Sequence, residues 1–251
     1  MDAPEYSYPP GVFAGLVRDI LLLRRRHFHR DALACIARLK PPLQVTGPEN
    51  IPRQGPCVVT INHYHRLGFG AEWLALAVSA LVPVNMHWIM TAEFMYQGKW
   101  YQPVGSRLSK ILLKRIAHVY GFVTMPPLPP RERDVEARAA SVRAVLEFVK
   151  RVGDPILGLA PEGHDARDDG VLTRPVRGVG RFGLLLSRAG LKLVPVGAYE
   201  VDGAFHVRFG EAYTLSVPGE LSSDEKDRRA SQVIMENIAR LLLPQLRGEF
   251  A

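Results

Sequence analysis

The sequence predicts an α/β domain, in which helices flank a largely parallel mixed sheet and an amphipathic helical segment comes first. Short apolar runs, typical of buried strands, alternate along the chain with longer stretches of helical periodicity. The chain has 251 residues, 47% of them hydrophobic and 23% charged, and shows no linker or internal repeat. That length and composition suit a globular protein with one substantial core.

Helical periodicity begins near the N-terminus, within residues 11–40. The apolar residues at helical spacing are Val12, Phe13, Leu16, Ile20 and Leu23. They run into a basic cluster, Arg24–Arg30, and Pro41-Pro42 ends the segment. We therefore expect a basic amphipathic helical segment over residues 1–44 and the α/β domain over 45–251. Such a helix suits an anionic membrane surface, or it packs its apolar stripe on the core and leaves its charges in water.

The remaining elements follow from the same patterns. Helices are predicted over 70–82, 132–151, 179–189 and 224–242. Strands are predicted at Cys57–Ile61, within Val84–Met90, within Ile116–Thr124, at Ile156–Ala160 and at Leu193–Ala198, with an edge strand at Phe205–Phe209. Functional loops of such a fold gather at one end of the sheet.

The net charge of +7 favours an anionic partner, such as a membrane surface, nucleic acid or a phosphorylated substrate. No nucleic-acid motif is recognisable, so nucleic acid is not expected. The two cysteines, Cys35 and Cys57, form no CxxC and cannot make a zinc site alone, so no metal is expected.

The longest apolar stretch, Trp73–Val84, is shorter than the roughly 20 residues that a membrane span needs. The N-terminus is acidic and rich in proline, unlike a signal peptide. We therefore expect a cytoplasmic protein whose membrane contact, if any, is peripheral.

Two polar groups stand at the ends of predicted strands. Asn62-His63 follows Cys57–Ile61, and a neutral imidazole there can take a proton from a hydroxyl. Glu162 follows the strand at Ile156–Ala160, where it either serves a site or caps the next turn. Arg174 and Arg177 lie beyond it, and they either bind an anionic head group or balance nearby aspartates.

Five blocks in order resemble the lysophospholipid/glycerolphosphate acyltransferase family over roughly residues 45–215. The blocks are Gly47–Pro52 (GPENIP), Asn62-His63, Ala160–Gly163 (APEG), Arg177-Gly178 and Val194–Val196 (VPV). The resemblance implies transfer of an acyl chain from acyl-CoA or acyl-carrier protein to a hydroxyl of a lysophospholipid or related acceptor. It implies no cofactor besides the donor, and a location on the inner face of the cell membrane.

By this resemblance His63, beside Asn62, is the general base, and the acceptor hydroxyl attacks the thioester without an acyl-enzyme. The residues implied in substrate binding are Pro161, Glu162, Gly163, Arg167, Arg174 and Arg177.

The sequence departs from the family pattern at three points. Gly68 stands where the family has the aspartate that supports the histidine, and in a serine protease neutralising the equivalent carboxylate costs about 10⁴ in turnover. Glu72 is our first substitute, with His65 and Asp165 as alternatives. Asp165 also replaces a family arginine, with Arg167 two residues later, and Pro126 lies near the place of another family arginine.

The alternative function is that of a catalytically silent relative that binds lipid or acyl-CoA.

Overall fold

The computed structural model describes residues 3–96, 98–128, 131–163 and 170–251. Its seven strands form one sheet in the order β1-β7-β6-β2-β5-β3-β4. The strands are β1 (Gln44–Thr46), β2 (Cys57–Ile61), β3 (His87–Thr91), β4 (Val123–Met125), β5 (Ile156–Leu159), β6 (Lys192–Val201) and β7 (Ala204–Phe209). The five strands from β6 to β4 are parallel, whereas β7 runs antiparallel to β6. The predicted fold class is thus confirmed.

Helices cover the sheet within the described part of the chain. They are α1 (Pro10–Leu22), α2 (Phe28–Ile36), α3 (Glu72–Leu81), α4 (Gln102–Tyr120), α5 (Val135–Val152), α6 (Val179–Arg188) and α7 (Ser223–Ala239). Apart from α4, each corresponds to a predicted helical segment. Within the described residues, none of the helices combines the length and the apolar character that crossing a bilayer would require.

Two predicted strands differ from the structure. The strand expected within 116–124 begins only at Val123, because α4 continues to Tyr120 and ends at Gly121, whose φ of 75° is left-handed. The segment Phe205–Phe209 is not an edge strand, since β7 pairs with β6 on one side and with β1 on the other. The short, exposed β1 is the strand that closes this edge.

The sheet brings the two predicted chemical segments together. Strand β2 is buried along its whole length and lies between β6 and β5. It is parallel to β5, with Thr60 opposite Leu159. Because parallel neighbours end at the same edge of a sheet, the residues that follow β2 and β5 meet there.

The basic N-terminal segment is partly built into the core. Arg26 lies between Asp19 and Asp31, at 2.7 and 2.6 Å, and the Tyr120 hydroxyl donates to Asp31. Arg24 and Arg25, by contrast, are exposed. Some charges of this segment are therefore held in ion pairs against the core and others face water, while its contact with an anionic membrane stays a prediction.

Candidate active site

His63 and Glu162 meet at the edge where β2 and β5 end. The backbone N–H of His63 donates to Glu162 Oε2 at 2.5 Å. The other carboxylate oxygen accepts the backbone N–H and the hydroxyl of Thr173, both at 2.8 Å. Glu162 is fully buried, so these donors offset the cost of removing its charge from water. The carboxylate thus ties the His63 strand end to the segment at Thr173, a partner that sequence analysis did not single out.

Asn62 is buried and uses both polar ends of its side chain on the neighbouring strand. Its amide nitrogen donates to the carbonyl oxygen of Ala198 at 2.8 Å, and its amide oxygen accepts the Ala198 N–H at 2.7 Å. The backbone pairing of β2 with β6 ends at Ile61, and the two side-chain hydrogen bonds of Asn62 continue the contact with β6. Asn62 therefore fixes where β2 stops, and so where the partly buried His63 leaves the sheet.

The loop after His63 is held by Glu200 at the end of β6. Arg66 forms an ion pair with Glu200, and the hydroxyls of Tyr6 and Tyr64 donate to the same carboxylate at 2.5 and 3.4 Å. Burial, and then the Glu200 charge, raises the pKa of Tyr64 to about 12. These contacts come from the N-terminal arm and from β6, which no local sequence pattern connects with the histidine.

Gly68, in the family's aspartate position, lies in an exposed turn with a left-handed φ of 82°. A Cβ at this position would lie 3.7 Å from Arg66 Nη1 and would meet no other group of the described residues within 4 Å. A side chain at this position would therefore lie next to the Arg66 guanidinium.

The predicted substitute carboxylate, Glu72, begins α3 and is exposed. Its Oε1 accepts a hydrogen bond from the Tyr8 hydroxyl at 2.7 Å, and burial together with Glu72 raises the pKa of Tyr8. The pairing of Glu72 with His63 stays a prediction. Asp165 and Arg167 lie outside the described residues.

A small, mostly apolar cavity of about 140 Å³ opens beside Pro161 and Gly163. The ends of β3, β4 and β5 form one wall, and the starts of α5 and α6 form the other. Two backbone N–H groups at the start of α6 already have an acceptor, because Asp227 accepts the N–H groups of Gly178 and Arg181 at 2.7 and 2.8 Å. An anion in this cavity would therefore need a positively charged side chain instead of these N–H groups.

The arginines predicted to bind substrate already have acidic partners. Arg174 pairs with Glu249 and Arg177 with Asp224, and both arginine side chains are mostly exposed. Arg177 does line the cavity, whereas Arg174 is not part of its lining. Each ion pair lowers the pKa of its carboxylate, as expected for a paired acid.

A residue that sequence analysis missed, Arg138, also lines this cavity. It is partly buried on α5, and its Nη2 donates to the carbonyl oxygens of Pro126 and Pro127 at 3.2 and 3.1 Å. Burial lowers its pKa, and within the described residues it forms no ion pair. The arginine thus reaches the segment near Pro126 where the family arginine is missing. The sequence feature that could have identified Arg138 is its place on a predicted amphipathic helix, beside the apolar face.

Comparison with known proteins identifies the class. Residues 42–199 match the family model described as Acyltransferase, which covers more than half of the chain, so the protein belongs to the acyltransferase family. Its fold is similar to the crystal structure of the 1-acyl-sn-glycerophosphate (LPA) acyltransferase PlsC from Thermotoga maritima. The TM-score is 0.51 at 15% identity, over 92% of this chain and 80% of that one. No curated protein matches the sequence significantly.

Proposed function

We propose that this protein transfers a fatty acyl chain from acyl-CoA or acyl-carrier protein to the hydroxyl of a lysophospholipid or related acceptor. The observation that carries the proposal is the position of His63, at the end of β2, with its backbone tied to the buried Glu162, whose neighbours Pro161 and Gly163 line an apolar cavity. Family membership supports acyl transfer as the chemistry.

In the proposed reaction the imidazole of His63 takes the proton of the acceptor hydroxyl while that oxygen attacks the thioester carbonyl. A C–O bond forms, the C–S bond breaks, and the leaving thiolate receives the proton. Asn62 and Glu162 act by positioning His63, since protein donors and acceptors occupy their polar atoms. Pro161 and Gly163 line the space for substrate. No cofactor besides the donor is required.

We further propose that the acceptor carries a phosphate and that Arg138 faces it. Arg138 lines the cavity as a partly buried cation without an ion-pair partner among the described residues. A guanidinium in such surroundings favours binding of an anion, because its charge is poorly compensated. The similar protein PlsC from Thermotoga maritima is a 1-acyl-sn-glycerophosphate acyltransferase, which supports the same acceptor class here.

The reaction would take place at the inner face of the cell membrane. The exposed Arg24 and Arg25 would contact anionic lipid, whereas Arg26 has an internal role between Asp19 and Asp31. Acyl-CoA or acyl-carrier protein would approach from the cytoplasm.

The first test compares the wild-type protein with His63→Ala, using labelled acyl-CoA and a panel of lysophospholipids and neutral alcohols. General-base catalysis contributes about 10²–10⁴ in rate, so we expect His63→Ala to lose at least about 100-fold in transfer. His206→Ala is the matched control, because His206 lies in β7, where its ring stacks on Tyr199 of β6. Equal, background-level transfer by wild type and His63→Ala would favour the silent, lipid-binding relative.

A second test concerns the acceptor. Arg138→Gln should raise KM for a lysophosphatidate acceptor about tenfold, since a hydrogen bond to a charged group contributes about 1.5–3 kcal/mol. Transfer to a monoacylglycerol should change little. Arg143→Gln is the control, because Arg143 is exposed on the same helix α5 and is not part of the cavity lining. An equal effect of Arg138→Gln on both acceptors would contradict a phosphate contact.

A further inference from the structure

Helix α4 presents an apolar stripe to solvent. Val104, Leu108 and Ile111 are 63%, 61% and 56% exposed. Their spacing places them on one side of the helix, while the other side, with Leu113 and Ala117, is buried. Large apolar side chains that stay in water over several helical turns are unusual for a surface helix, so this stripe requires an explanation.

Exposed apolar side chains also occur just before α4 and on α1. Trp100, just before the helix, is 93% exposed, and α1 exposes Phe13 and Leu21 at 60% and 67%. Helices α1 and α4 are neighbours, joined where His118 lies 3.2 Å from the carbonyl oxygen of Leu23. We call the set Phe13, Leu21, Trp100, Val104, Leu108 and Ile111 the apolar platform.

Basic side chains accompany the platform on α4. Arg107, Lys110 and Lys114 are exposed, and none of them forms an ion pair within the described part of the chain. An apolar stripe beside unpaired cations is typical of helices that lie in the interface of an anionic membrane. The charge pattern therefore complements an anionic lipid surface.

The platform also reaches the edge of the sheet where His63 lies. The segment that carries Trp100 follows the end of β3, which is parallel to β5 and next to it. Leu67, in the loop after His63, is 88% exposed. A lipid surface that covers Trp100 and Leu67 would thus adjoin the end of the sheet at which the acceptor hydroxyl is activated.

We propose that the apolar platform embeds in the leaflet of an anionic membrane, with α4 lying in the interface. This surface is distinct from the basic N-terminal cluster, because its apolar side chains would enter the acyl region while its lysines contact phosphates. Membrane insertion itself does not depend on the proposed function. Only its role in bringing a lipid acceptor to His63 rests on that function.

Tryptophan fluorescence gives a direct test. Trp73 and Trp88 are buried, at 3% and 7% exposed, so Trp100 is the indole that can change its surroundings. We expect vesicles of equal parts phosphatidylglycerol and phosphatidylcholine to shift the emission to the blue, and brominated acyl chains to quench it. Trp100→Phe should abolish both signals. Unchanged emission under conditions where the protein sediments with the vesicles would overturn the proposal.

Substitutions on the platform test its energetic role. Leu108→Asp combined with Ile111→Asp should lower partitioning onto these vesicles about tenfold or more, since the platform loses apolar surface and gains negative charge. Lys110→Glu combined with Lys114→Glu should also weaken binding, most strongly at low salt. Val135→Asp is the control, because Val135 is 68% exposed on α5, outside the platform.

The outcomes separate this proposal from the enzymatic one. Unchanged partitioning of the Leu108 and Ile111 double variant would overturn membrane insertion. A concentration-dependent dimer of the wild type that this variant abolishes would assign the platform to a second copy of the chain instead. Transfer to a water-soluble short-chain acceptor, measured without vesicles, should survive in the variant. If the wild type transfers to no acceptor but still inserts, the proposed function fails and the membrane surface stands.

Discussion

The backbone of His63 is fixed by a buried charge. Glu162 accepts hydrogen bonds from the His63 N–H and from the N–H and hydroxyl of Thr173. Asn62 holds the preceding residue to β6. Together these contacts fix the backbone at His63, which is the rigidity that its proposed catalytic role requires.

Gly68 permits a sharp prediction at the residue scale. A carboxylate introduced by Gly68→Asp would lie beside the Arg66 guanidinium, so it should pair with Arg66 and leave His63 unaffected. We expect no gain in acyl transfer over Gly68→Asn. Both variants should lose at most about 1 kcal/mol of stability, since asparagine and aspartate tolerate a left-handed φ better than other side chains.

Transfer rates of the two variants, measured side by side with urea unfolding, check this expectation. Asparagine is the matched control because it tolerates the left-handed region as aspartate does. A several-fold higher rate for Gly68→Asp would show that the family arrangement can be restored, and that no other carboxylate serves His63.

At the scale of elements, the junction of α1 and α2 depends on buried ion pairs. Arg26 bridges Asp19 and Asp31, and Tyr120 at the end of α4 donates to Asp31. The junction thereby anchors both helices that carry the apolar platform. Sequence analysis treated this arginine as part of a continuous basic cluster, because spacing alone does not reveal which charges have partners.

Acid titration tests this junction. Hydrogen bonds from Arg18 and then Arg26 lower the pKa of Asp19 to about 2. Its contribution to stability is therefore present above the ordinary aspartate pKa, near ~3.9, and is lost as the pH falls towards 2. Asp19→Asn should be less stable than wild type at neutral pH and should lose less stability between pH 5 and pH 2.

Thermal unfolding across this pH range measures the difference. Asp224→Asn serves as the control, because its ion pair with Arg177 is exposed and an exposed ion pair contributes little. Parallel stability curves for wild type and Asp19→Asn would contradict the assignment.

At the scale of the whole molecule, one edge of the sheet collects the functional features. His63 and Glu162 follow β2 and β5, the cavity opens beside Pro161, and the segment with Trp100 follows β3. The net charge of +7 acts over the same molecule and favours approach to an anionic surface. A lipid acceptor would then have a short path from the leaflet to the histidine.

The sequence by itself determined the α/β fold, the buried strand Cys57–Ile61 and the positions of His63 and Glu162 along the chain. These follow from local apolar patterns and from ordered family blocks, both of which are properties of neighbouring residues. The strand within 116–124 was misjudged because a buried helix end and a short strand have similar apolar content.

Only the tertiary structure decided how distant residues combine. In the folded chain Arg138 contacts Pro126, near the position of the family arginine that this sequence lacks. The Arg66 guanidinium lies beside Gly68, and the apolar stripe of α4 stays exposed. Periodicity shows that a helix has an apolar face, but what covers that face depends on packing between segments far apart in the chain. The partners of a charge depend on the same packing, which is why spacing alone did not reveal that Arg174 pairs with Glu249 and Arg177 with Asp224.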